Sequence, residues 1–237
     1  MVGIARLFHV CVLLALIGVA PMVMAAPEHP QIEVETTRGT FVVELYPDKA
    51  PRTVENFINY VKSGYYSGTV FHRAVERFLV QGGGLTETLE PKPTADPIPN
   101  ESRNGLSNDV GTVAMARGLG ENTATSQFFV NLSDNKFLNH YRPEAGLEGY
   151  TVFGRVVKGL EVLLSISNSA TQTVGKLTNV PVEPPVIRTA RLLDTPVITD
   201  NAPPPAIKVA EVDEGKSGKS KSVKKGKRSG KSGKTTD

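Results

Sequence analysis

The run Phe71-His72-Arg73-Ala74-Val75-Glu76-Arg77-Phe78-Leu79-Val80-Gln81-Gly82-Gly83-Gly84 puts a guanidinium, an amide and a large apolar residue on a short stretch that ends in three glycines. Side chains two apart on a strand share a face. Phe71 and Arg73 are therefore expected on one face, and Leu79 and Gln81 together on the next strand. Ala74 to Arg77 would form the connection. A second run has the same character: Gly111-Thr112-Val113-Ala114-Met115-Ala116-Arg117, then Ala124-Thr125-Ser126-Gln127-Phe128-Phe129-Val130-Asn131. Together they describe a groove with an apolar floor, amide walls and one fixed guanidinium. Such a groove can grip a neutral polar group and stabilise charge that develops on it.

These motifs, with V-F-G-R-V-V-K-G from Val152, resemble the cyclophilin-type peptidyl-prolyl isomerases, and bacterial exported members most closely. The resemblance runs from about Gln31 to about Leu193. Several ordered motifs at compatible spacing carry it; a lone Q-G-G-G would mean little. It implies a mainly β fold, a closed eight-stranded antiparallel barrel capped by two helices, with the ligand groove on the outer face.

The implied chemistry is rotation about X-Pro bonds. Unaided, these interconvert over tens to hundreds of seconds. The barrier, about 18–20 kcal/mol, comes from amide resonance. No nucleophile, metal or cofactor is needed. By resemblance Arg73 is the catalytic residue, and Phe78, Leu79, Phe129 and Leu138 form the proline pocket. Gln81 and Gln127 form the polar wall that orients Arg73 and the substrate backbone. Ala116 and Arg117 lie on the strand that contacts the backbone, and Met115 is structural. Isomerisation moves no proton, so His72 is expected as a hydrogen bonder at the groove edge. Ser126 lacks the G-x-S-x-G elbow of a hydrolase, and Gly82-Gly83-Gly84 lacks the Lys-Ser/Thr of a phosphate loop.

The chain departs from the family pattern at three places. Phe137 stands where many members have tryptophan, so weak binding of the cyclic peptide cyclosporin is expected, with catalysis retained. Tyr150 stands where histidine is frequent. Glu76-Arg77 replaces a Pro-Gly pair, which puts a side chain where glycine would accept a positive φ.

The elements around these motifs are readable. Ile32 to Thr36 alternates apolar and polar residues, and Thr40 to Leu45 follows across Arg38-Gly39, a hairpin pattern. Ala50-Pro51 opens a helix whose Val54, Phe57, Ile58 and Val61 share a face, and Ser63-Gly64 stops it. Leu85 to Leu106, with four prolines, reads as a long covering loop. Tyr150 to Val157 is a strand. Gly159 to Asn168 is a short helix burying Leu160, Leu163 and Leu164, and Val186 to Leu192 is a last strand.

The ends differ in composition. Arg6, the apolar run Val10 to Val19 and Val23-Met24-Ala25 form a signal-peptide pattern over residues 1–25, cleaved after Ala25. The alternative is a retained anchor. Cys11, the chain's single cysteine, lies in this segment, so residues 26–237 have no thiol chemistry. Residues 26–200 form the isomerase domain, and 201–237 a Pro-rich then Lys/Ser/Gly-rich tail expected to be disordered. From Lys208 on there are ten basic and four acidic residues; with Arg6 set aside, the net +3 leaves −4 for residues 26–207. The tail could bind polyanions electrostatically or serve as a solubilising extension. Expected partners are proline-containing polypeptides met by a monomer in the periplasm, or outside the cell if secreted. The competing reading is a proline-peptide binding or chaperone module with little catalysis. Asn100-Glu101-Ser102 and Asn131-Leu132-Ser133 match the glycosylation acceptor pattern.

Overall fold

A computed structural model describes residues 29–140 and 148–197. The expected signal segment and the basic tail lie outside the described residues. Gln31–Thr36 (β1) and Gly39–Leu45 (β2) form the expected hairpin. Their alternation sends Ile32, Val34, Phe41, Val43 and Leu45 into one buried interior.

Pro51–Lys62 (α1) comes after the hairpin. Thr53, Val54, Phe57, Tyr60 and Val61 are buried, whereas Ile58 is only half-buried at the edge of the core. Ala50, at the N-cap, has no side chain that could cap the helix. The cap comes instead from the long loop. The Glu101 carboxylate accepts hydrogen bonds from Arg52 N (3.1 Å), Thr53 N (2.8 Å) and Thr53 Oγ1 (2.6 Å). A negative group there satisfies free amides at the positive end of the helix dipole.

Thr69–Val75 (β3), Leu79–Thr86 (β4), Thr112–Met115 (β5), Phe128–Asn131 (β6) and Val152–Lys158 (β7) come next, then Leu160–Ser167 (α2). Thr171–Val174 (β8) and Leu177–Pro181 (β9) precede Val186–Leu192 (β10). Eight strands close a barrel in the order β1-β10-β3-β4-β6-β5-β7-β2, and every pairing is antiparallel. Both helices send side chains into the barrel's interior cluster.

The structure corrects three expectations. β3 runs on through Ala74 and Val75, so the connection shrinks to Glu76–Phe78. In α2 the buried residues are Leu163, Ile166 and Ser167, while Leu160 is only half-buried and Leu164 is 42% exposed. One step of about 100° carries Leu164 off the face that Leu163 occupies. The sequence pattern predicts no element at β8 and β9, yet they pair as a separate hairpin. All of β8 is exposed, so no buried face imposes a hydrophobic alternation there.

The barrel wall has apolar residues on both sides. Val80, Val113, Met115, Phe128, Val130 and Phe153 point into the interior. Their strand neighbours Leu79, Ala114, Phe129 and Val152 form a second cluster on the opposite, outer face.

Candidate active site

The site begins with an irregularity. Phe71 pairs with Gly82 and Arg73 with Gln81, so β3 carries one extra residue at His72. Such a bulge turns the strand and re-aims the next side chains along it. Phe71 is therefore wholly buried in the interior, while Arg73 is half-buried on the outside. The expectation that both share a face is overturned, and the bulge is the reason. The opposing strand has to be bare there. A Cβ on Gly82 would lie 2.8 Å from Phe71 Cδ1 and 2.9 Å from Val70 O. A Cβ on Gly84 would overlap the Gln127 side chain.

Cross-strand register then makes one row across five strands: Arg73, Gln81, Phe129, Ala114, Val152. It grades from cation through amide to hydrocarbon. Arg73 Nη1 donates to Gln81 Oε1 (3.4 Å), and Gln81 Nε2 donates to Gln127 Oε1 (2.9 Å). The Arg73 guanidinium carbon lies 5.7 Å from the centre of the Phe78 ring.

The apolar part joins buried Leu79, Ala114, Phe129 and Val152 to half-buried Phe78, Leu106, Ala116, Leu138 and Tyr150. Tyr150 meets Phe129 edge-on at 5.5 Å. Phe137 is 65% exposed and stacks on Phe78 with ring centres 5.7 Å apart. Ala116 N donates to Gln127 O (3.0 Å), which ties the two walls together. The Arg117 side chain faces Tyr150 and the chain at 148–149.

Phe78 sits on a strained turn. Arg77 has φ 54, the left-handed conformation that glycine would take without penalty. The turn is held from below. Phe78 O accepts from Leu132 N (2.8 Å) and Asn135 Nδ2 (3.0 Å). Asn135 Nδ2 also reaches Asn131 Oδ1 (2.8 Å), and Asn131 Nδ2 donates to Asn108 Oδ1 (3.1 Å). Asn108 Nδ2 donates to Asn139 Oδ1 (3.0 Å), just past the 3-10 turn Lys136–Leu138. This asparagine chain fixes both Phe78 and Leu138. Asn131 is fully buried, so the folded domain offers no glycosylation acceptor at that position.

His72 is not at the groove edge. It is 5% exposed, and its Nδ1 is buried with no partner. Burial pushes its pKa down to about 4, and the Arg73 charge pushes the same way against a backbone hydrogen bond involving Val70. The buried ring is neutral near pH 7. Ser126 is fully buried, its Oγ 3.2 Å from the Tyr65 hydroxyl and its carbonyl accepting from Tyr66 (2.9 Å).

Sequence reasoning missed Leu106, Ala114 and Val152 in the apolar cluster, and the asparagines beneath it. Alternation along β5 could have found Ala114 between Val113 and Met115. Nothing local marks Leu106, which arrives at the end of the long loop.

A family model described as cyclophilin type peptidyl-prolyl cis-trans isomerase/CLD matches residues 31–192. The peptidyl-prolyl cis-trans isomerase of Acinetobacter baylyi is 48% identical over 153 residues, covering 65% of this chain and 80% of that protein. The isomerase cyp18 of Streptomyces antibioticus is 48% identical over 162 residues, 68% of this chain and 98% of its own length. Among solved structures, a Cryptosporidium parvum cyclophilin superposes with a TM-score of 0.58 at 24% identity, covering 71% of this chain and 99% of that one. It shares the fold. Another structure of that protein was obtained in the presence of the dipeptide Ala-Pro.

Proposed function

The chain belongs to the cyclophilin-type peptidyl-prolyl cis-trans isomerases and is an isomerase, and from that premise we propose that it accelerates X-Pro rotation in exported polypeptides, with Arg73 as its catalytic group. The proline ring would lie on Phe129, Leu79 and Phe78, as a proline peptide would dock on any dry apolar face beside polar anchors. As the bond twists, the nitrogen becomes pyramidal and its lone pair a better acceptor. A guanidinium aimed there binds the twisted state better than the planar one. A charge-assisted hydrogen bond of about 1.5–3 kcal/mol would supply roughly one to two decades of rate.

The observation that carries this reading is the relay Arg73–Gln81–Gln127 at the margin of the apolar cluster. Gln81 spends its oxygen on Arg73 and its nitrogen on Gln127, which leaves the guanidinium with free donors and one orientation.

The test follows cis-to-trans conversion of a short X-Pro peptide. Arg73→Ala should lose about one to two decades of kcat/KM with an unchanged thermal midpoint. Wild-type activity in Arg73→Ala would remove Arg73 from the mechanism. A proline-binding or chaperone module with little catalysis is the second reading, and the strained Arg77 beneath Phe78 favours it. It predicts peptide binding by the wild type without turnover. Export to the periplasm rests on the pattern in residues 1–25 and is tested by fractionating cells and sequencing the mature N-terminus. The nine basic residues between Lys216 and Lys234 would add a salt-sensitive contact with polyanions, lost on truncation after Pro205.

A further inference from the structure

Arg117 stands next to the groove, and a cation there invites a role in gripping the substrate. Its surroundings argue otherwise. The side chain is 10% exposed. A guanidinium has five N–H donors. Here Nε donates to Gly149 O (2.9 Å), Nη1 reaches Gly118 O (3.2 Å) and Gly120 O (3.4 Å), and Nη2 lies 3.8 Å from Glu148 Oε2. The guanidinium carbon is 4.9 Å from the centre of the Tyr150 ring. Three of its five donors are spent on backbone carbonyls of the protein itself, and the Nη2 end is drawn toward the Glu148 carboxylate.

The groups it holds border the site. Gly118 and Gly120 belong to the loop that joins the two walls of the site, and Thr123 closes that loop from within: Gly118 N donates to Thr123 Oγ1 (2.9 Å), and Thr123 Oγ1 donates to Gly120 O (2.8 Å). Gly149 sits beside Tyr150, whose ring packs edge-on against Phe129 at 5.5 Å. Tyr150 N is bonded to Leu138 O (2.9 Å). One side chain thus joins the 118–123 loop to the segment that carries Tyr150, and lies over the ring that walls the apolar cluster. A cation over an aromatic face is attracted by its quadrupole.

We propose that Arg117 is a positioning residue that acts through Tyr150. It holds the ring against Phe129 and so sets the affinity of the apolar pocket for the proline segment, while Arg73 sets the rate of rotation. The inference rests on the isomerase reading above, and the experiment separates the two. In the full-length protein, kcat and KM for an X-Pro peptide and its Kd by NMR titration are measured for the wild type, Arg117→Ala, Arg117→Lys, Tyr150→Leu and the Arg117→Ala/Tyr150→Leu double variant. Arg117→Gln replaces Arg117→Ala if the latter unfolds.

Arg117→Ala should raise KM and Kd about tenfold with kcat within about twofold. Arg117→Lys should recover little, because one ammonium cannot bridge Gly149, Gly118 and Gly120. In the Tyr150→Leu background, removing Arg117 should add less than about a twofold effect on KM. Unchanged KM in Arg117→Ala, full recovery by Arg117→Lys, a fall in kcat as steep as that in kcat/KM, or additive effects in the double variant would each overturn the proposal. A wild type that binds peptide without turnover would refute the isomerase reading and leave the Kd series to decide on Arg117. A wild type that does neither would end both.

Discussion

Phe128 and Phe129 are adjacent, both almost fully buried, and do different work. Phe128 points into the barrel, where it meets Phe57, Tyr66 and Phe71 at 5.5, 5.6 and 6.0 Å. Phe129 points outward, between Gln81 and Ala114 and against Tyr150. The inner cluster is hydrocarbon and aromatic surface closed on all sides. The outer one is small, ends at a row of amides and an arginine, and is half open to solvent. The same residue type builds a core or a binding floor according to what its cross-strand neighbours can do.

Substitution of the two phenylalanines tests the contrast most strongly. Phe128→Ala should destabilise the fold by about 3–5 kcal/mol, because a closed interior cannot refill. Phe129→Ala should cost roughly 2 kcal/mol less, since solvent can enter the outer cluster, and should raise KM instead. Urea titrations with kinetics on the same samples measure both. Equal stability losses with KM unchanged would mean that the outer cluster is only more core.

His72 lies between the two regions, and its effect depends on pH. Its folded pKa, about 4, is below the ordinary 6.5. Well above pH 6.5 the ring is neutral in both states and contributes no pH dependence. As pH falls from there toward 4, the unfolded chain takes up a proton that the folded chain refuses, so stability drops. Between pH 7 and pH 4.5 the loss should reach about 2–3 kcal/mol. His72→Gln should flatten that part of the profile; an identical slope in the variant would show that the ring does not titrate this way.

The smallest expected effect refines the polar margin. Gln127→Ala takes from Gln81 the acceptor that holds it, and should lower kcat/KM about threefold to tenfold. In an Arg73→Ala background the same change should have almost no effect, because it works by orienting Arg73. Full additivity would place Gln127 on the substrate rather than behind Arg73.

Much of the frame was legible because it obeys local rules. The β1–β2 hairpin shows as alternation across a glycine, α1 as a proline-led apolar stripe, and β10 appears from Val186 to Leu192 as expected. Where local rules fail, the deciding partner is remote in sequence. Glu101 caps a helix about fifty residues before it. Leu106 joins the outer cluster from the end of a loop. Four asparagines, from Asn108 to Asn139, carry the Phe78 turn. The β8–β9 hairpin buries too little to leave a pattern.

By itself the sequence determined which chemistry was on offer: one guanidinium, two amides and an apolar set, spaced on strands whose period of two separates inside from outside. The motif order also placed the chain in its family. Only the tertiary structure decided which way each group faces. A single extra residue at His72 turns Arg73 outward, and the bare Gly82 lets β4 close on β3 there. Pairing register, set by barrel closure and not by neighbours in the chain, then lines Arg73, Gln81 and Phe129 into one site.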